Sequence, residues 1–109
     1  MKKSPSKAPE RGLDALEERA AQVSGTLRLL ANEKRLLVLC HLAKLGEMSV
    51  TELGAEVSLS QSALSQHLAK LRADELVTTR RDGQTIHYRI ADERVAKLLA
   101  ALYAIYCEV

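Results

Sequence analysis

Two thiols and one run of short hydroxyl and amide side chains are the groups in this 109-residue chain best suited to chemistry. The thiols, Cys40 and Cys107, are its two cysteines. As thiolates they could attack sulfur or hold a soft metal. As protonated thiols among apolar neighbours they would be small hydrophobic residues, the common fate of free cysteine. Spacing alone favours that second reading. Cys40 shares a helical-wheel face with Leu36, Leu39 and Ala43, and Cys107 flanks the edge formed by Leu99 and Tyr103. Lys44, one turn beyond Cys40, is placed to lower the pKa of that thiol.

The polar run begins at Ser60. On a wheel of 100° per residue, Leu64, Leu68 and Leu71 fall on one side, while Gln61, Ser62, Ser65, Gln66 and Ala69 fall on the other. An ordinary solvated helix face would carry Glu and Lys pairs. Ser and Gln can instead bond base edges, with Gln suited to adenine, and Ala69 allows close approach or touches a thymine methyl. The free N–H groups of the first turn, Ser60 to Ser62, suit a phosphate. Lys70 and Arg72 flank this helix. Arg80, Arg81 and Arg89 lie on or beside a following hairpin, with Gln84 at its tip. These basic residues are expected at phosphates, or one at the minor groove; the alternative is that they are merely solvated. His67 falls between Ala63 and Leu71, and is expected to be a hydrogen-bonded structural residue. His41 and His87 are expected to be exposed.

The elements that must carry these groups follow from periodicity. Leu13, Leu16, Ala20, Val23 and Leu27 give an amphipathic helix from about Glu10 to Ser24, interrupted near Gly25 and Thr26. Asn32 caps a helix over Glu33–Lys44 whose leucines point almost all round, so it reads as central and buried, and Gly46 ends it. Ser49-Val50-Thr51-Glu52 is a capping-box sequence opening a short helix to Val57; Ser58-Leu59 is the turn, and Ser60 caps the helix to about Ala73. Asp82-Gly83-Gln84 between two β-prone runs predicts a hairpin, with Ile86, Tyr88 and Ile90 on its packed face. Asp92 caps a last helix with a stripe at Val95, Leu98, Leu99, Leu102, Ile105 and Tyr106. The order predicts a mainly α fold with a β-hairpin wing: one winged helix-turn-helix domain over 10–109, preceded by a basic arm over 1–9.

Composition narrows the functional classes. Hydrophobic residues make up 47% of the chain, without Phe or Trp, so the core is aliphatic. The net charge of +2, from 16 basic and 14 acidic residues, does not by itself identify a nucleic-acid binder. No apolar run approaches membrane-spanning length and the start lacks a signal-peptide pattern, which makes cytoplasmic the expected location and free thiols the expected state. No nucleophile–base–acid set, phosphate loop or cofactor fingerprint is present; neither enzymatic activity nor a cofactor is expected.

At Leu59-Ser60-Gln61-Ser62-Ala63-Leu64-Ser65-Gln66-His67-Leu68-Ala69-Lys70-Leu71-Arg72, and again in the wing ending Ile86-His87-Tyr88-Arg89-Ile90, the sequence resembles the ArsR/SmtB family of bacterial repressors. The resemblance spans roughly Leu27 to Cys107. It implies a homodimer joined through the first and last helices, double-stranded operator DNA as a partner, and an inducer that lowers DNA affinity. The metal sites of that family do not carry over. Ser49 and Thr51 stand where its arsenic-type site has cysteines, and Asp92 is followed by no histidine as far as Val109. Leu30–Cys40, Gly46–Val50 and Tyr106-Cys107 resemble instead the persulfide-sensing, SqrR/BigR-like branch. There the two cysteines matching Cys40 and Cys107 are bridged in response to reactive sulfur species, and the bridge releases DNA. Two other readings stay open: a metal-responsive repressor with an unrecognised site, and a winged-helix protein-interaction module.

Overall fold

The computed structural model describes residues 10–107. The expected basic arm, 1–9, lies outside them. Among the described residues, six helices and three short strands follow one another: α1 (Glu10–Glu18), α2 (Ala20–Leu30), α3 (Glu33–Leu45), β1 (Met48–Ser49), α4 (Val50–Glu56), α5 (Gln61–Ala73), β2 (Val77–Asp82), β3 (Thr85–Ile90) and α6 (Glu93–Tyr106).

The centre is aliphatic. Leu39 and Leu42 of α3, Leu53 of α4, and Leu64, Leu68 and Leu71 of α5 are each at most 1% exposed. At about 1.5–3 kcal/mol per fully buried side chain, this contact holds α5 against the core by its apolar stripe and turns the opposite stripe to water. Side-chain caps fix where α3, α4, α5 and α6 start. Asn32 Oδ1 accepts from the Arg35 N–H (3.0 Å) and Ser60 Oγ from that of Ala63 (3.1 Å). The Ser49 capping box is complete: its Oγ accepts from the Glu52 N–H (3.1 Å), and its own N–H donates to Glu52 Oε1 (2.9 Å).

Several sequence expectations need correction. The first helix is two: α1 stops at Glu18, and α2 runs on through Gly25 to Leu30. Burial of Leu29 and Leu30 against the core outweighs the cost of a helical glycine, about 1 kcal/mol. The central helix α3 is not buried all round, because Leu37 and Leu45 are 41% and 52% exposed. The hairpin loop is Gly83-Gln84 alone: Asp82 pairs with Thr85, and Gly83 has φ +66°, as in a type II′ turn. β1 is an unforeseen third strand. Met48 pairs with Tyr88 and Ser49 with His87, giving the sheet order β1-β3-β2. Two residues are too few to leave a period in the sequence.

The end of α5 is also unforeseen. Glu75 donates to Arg72 O (3.0 Å) and Leu76 to Leu71 O (2.9 Å), while Glu75 takes φ +65°. This is the left-handed helix stop usually given to glycine. It aims the chain straight into β2, where Leu76 and Val77 are buried.

Candidate DNA-reading face and thiol pair

The α5 face stands clear of the other described residues. Ser60, Gln61, Ser62, Ser65, Gln66 and Lys70 are all exposed, while Leu64, Leu68 and Leu71 are buried. The four polar positions picked out by wheel geometry, Gln61, Ser62, Ser65 and Gln66, therefore form one open strip, with Lys70 beside it and Ser60 already engaged as the cap. Lys70 Nζ lies 3.5 Å from Asp74 Oδ2, an exposed pair one turn apart that water and salt readily loosen. His67 is half-buried. Its burial, and then the Arg35 charge, push its pKa below the ordinary histidine value. Among the described residues its ring has no hydrogen-bond partner, so it is a packing residue rather than the hydrogen-bonded one expected from sequence.

The wing carries its charges differently. Arg81 and Gln84 are exposed at the hairpin end, and Arg81 Nη1 donates to Gly83 O (3.4 Å). The Arg80 guanidinium is already committed. Its Nη2 donates to Glu47 Oε1 (2.8 Å), and its Nε lies 3.1 Å from Oε2 and 3.3 Å from Oε1. Glu47 was not singled out by sequence; it sits just ahead of β1, so only the pairing of that short strand brings it to the wing. The hydrogen bond and charge of Arg80 hold the Glu47 carboxyl below the usual carboxylate range, with further help from His87 and Arg89. His41 and His87, expected to be exposed, are half-buried.

The thiols are exposed, contrary to the plain reading of buried hydrophobes. Helix α3 packs against α6, which brings Cys40 and Cys107 to the same side of the molecule. The Cys40 thiol is pushed above its ordinary pKa by partial desolvation of the sulfur and then by the nearby Cys107 charge. Lys44 does not lower it. Among the described residues no three His, Cys, Asp or Glu side chains come together as a metal site. No helix there is long and apolar enough to cross a membrane.

A third feature is an exposed set of apolar side chains. Leu13 and Leu16 on α1, Val23 and Leu27 on α2, Leu37 and Leu45 on α3, and Tyr103, Ile105 and Tyr106 on α6 are large apolar side chains left in solvent. Ile105 is 72% exposed and Tyr106 is 80% exposed. A monomer of this size seldom leaves so much apolar surface uncovered.

A helix-turn-helix followed by a β-hairpin defines a winged-helix DNA-binding protein. The family described as bacterial regulatory protein, arsR family, matches residues 32–79. The biofilm growth-associated repressor of Agrobacterium fabrum is 46% identical over 95 residues, 87% of this chain and 80% of that protein. The transcriptional repressor BigR from Xylella fastidiosa superposes with a TM-score of 0.81 at 39% identity, covering 86% of this chain and 95% of that one. Reduced HlyU from Vibrio cholerae superposes with a TM-score of 0.78 at 44% identity, covering 85% and 97%. The chain belongs to the ArsR family, as a DNA-binding transcriptional regulator of the branch that includes BigR; this is not a family of enzymes.

Proposed function

We propose that this protein is a homodimeric repressor that releases operator DNA when reactive sulfur species bridge Cys40 and Cys107. The observation that carries the DNA half is the open strip Gln61, Ser62, Ser65 and Gln66 on a helix whose opposite side is fully buried. Those side chains read base edges, and Lys70, Arg81 and Gln84 extend the contact along the backbone. A second copy of the chain covers the apolar side chains of α1, α2 and α6. Its two-fold axis sets two recognition helices about one DNA turn apart.

The sensing half rests on two thiols that share one side of the molecule. Burial and the Cys107 charge both disfavour the Cys40 thiolate, and the first attack on a sulfane sulfur is assigned to Cys107. That thiolate takes one sulfur from a persulfide RSSH and expels a thiol, leaving a Cys107 persulfide. The Cys40 thiolate then attacks the inner sulfur and expels hydrosulfide, giving the disulfide; RSSH is the two-electron oxidant. The bridge would lock α3 to α6. A shift there changes the relation between the two subunits and moves the reading helices apart or together. The reduced state specified for the similar Vibrio cholerae structure is in keeping with this reading.

The test is a pair of variants, Cys40→Ser and Cys107→Ser. Each is expected to bind operator DNA as wild type does and to be insensitive to persulfide, while the intact mass of treated wild type falls by two hydrogens or gains whole sulfur atoms. Normal release of either variant refutes the bridge. Stoichiometric metal binding that lowers DNA affinity of the reduced protein would favour metal sensing instead.

A further inference from the structure

The Arg80–Glu47 pair is unusual in where it lies. The sheet order β1-β3-β2 puts the central strand β3 between the two partners, and the pair reaches across it. Arg80 is opposite His87, which is opposite Ser49; Thr78 is opposite Arg89. Residues directly opposite one another and those two apart along a strand share a sheet face. Arg80, His87 and Arg89 therefore lie on one face, and the Glu47 carboxylate sits among them, held chiefly by Arg80. Its contact with Arg80 is made through two guanidinium nitrogens, the fork geometry that suits a phosphate equally well. Both partners remain in contact with water, so the pair can exchange: the side chains of Arg80 and Glu47 are 51% and 30% exposed.

We infer that the polar face of the wing is a phosphate seat built from Arg80, His87 and Arg89, and that Glu47 fills it in the free protein as an internal competitor. Nucleic acid must displace the carboxylate before Arg80 can bond its backbone. Glu47 thus sets how much of the electrostatic attraction reaches DNA. This rests on the DNA-binding reading above, and it changes the role of Arg80 from a standing anchor to one that is uncovered on binding.

The experiment is a double-mutant cycle on the full chain. Affinity for a mixed-sequence duplex of about 30 base pairs is measured across a salt series for wild type, Glu47→Gln, Arg80→Gln and the double variant. Such binding is almost wholly electrostatic and needs no knowledge of the operator. Glu47→Gln is expected to tighten binding about fivefold at low salt, the upper end of what an exposed ion pair is worth. Arg80→Gln is expected to lower the salt slope by about one. In the Arg80→Gln background the Glu47→Gln change should have less than about a third of its effect. Equal tightening in both backgrounds would reduce Glu47 to a general negative charge and overturn the competition. Weaker binding by Glu47→Gln would overturn it too, because Glu47 would then hold Arg80 ready. Loss of all salt-dependent binding in wild type would overturn the DNA reading itself. Circular dichroism of each variant guards against misfolding, and Glu47→Asp, a carboxylate one methylene shorter, should fall between wild type and Glu47→Gln.

Discussion

The two halves of this molecule meet water in opposite ways. In the half made by α4, α5 and the wing, apolar side chains turn inward and polar ones turn out: Leu53, Leu64, Leu68 and Leu71 are fully buried beneath an exposed Ser/Gln strip. In the half made by α1, α2, the outer edge of α3 and the end of α6, leucine, isoleucine and tyrosine side chains face outward. The first half is complete in one chain. The second is complete only when something covers it, and the two thiols sit in that second half. The proposed reading and sensing functions thus fall on surfaces of different kind, and a change in one can reach the other through α3, which packs on α4 and β3, and through α6, which packs on β3.

That contrast can be tested most severely in the core. Leu68→Ala should destabilise the fold by about 2–5 kcal/mol in denaturant unfolding, whereas Leu13→Ala in an isolated chain should change it by less than about 0.5 kcal/mol. Comparable losses from both at a concentration where the protein is monomeric would erase the distinction. Next comes the outward apolar side. Ile105→Glu should weaken self-association by about 2–3 kcal/mol with helix content unchanged, read by sedimentation equilibrium. An unaltered association constant would mean that α6 faces no second copy.

On the reading side, Gln66→Ala should cost about 1–2 kcal/mol of operator binding and relax preference at one base pair, with no change in the association state. The smallest effect concerns the thiols. The midpoint for alkylation of Cys40 should lie above that of an ordinary thiol, because burial and the Cys107 charge both disfavour its thiolate. Reactivity is therefore gained as pH rises, and Cys107→Ser should shift the midpoint down by removing the second cause while leaving the first. A midpoint unmoved by that substitution would show that the two sulfurs do not sense one another.

Much of the reading half was legible in the sequence, since its information is local. A capping box spans four residues, the polar and apolar stripes of α5 repeat every turn, and a glycine in a β-turn marks the hairpin. The candidate strip on α5 was fully named by these signals. Two parts of the same region were not. Glu47 reaches Arg80 over 33 positions through a two-residue strand with no period of its own. Glu75 does a glycine's work because Leu76 and Val77, buried beyond it, hold the backbone there.

The half that carries the thiols was harder to read. The break at Arg19, the run of α2 through Gly25 and the exposure of Cys40 all depend on which side of a helix finds a partner. Periodicity reports that a stripe is apolar, but not what covers it. By itself, then, the sequence determined the class of fold, the caps that start α3 to α6, the polar stripe of α5 and the two cysteines on which the proposed function rests. The tertiary structure alone decided that Arg80 rests on a carboxylate, that Cys40 is exposed yet has its pKa pushed up, and that one side of the molecule is left apolar. Each of those depends on distances between groups far apart along the chain, which only packing brings together.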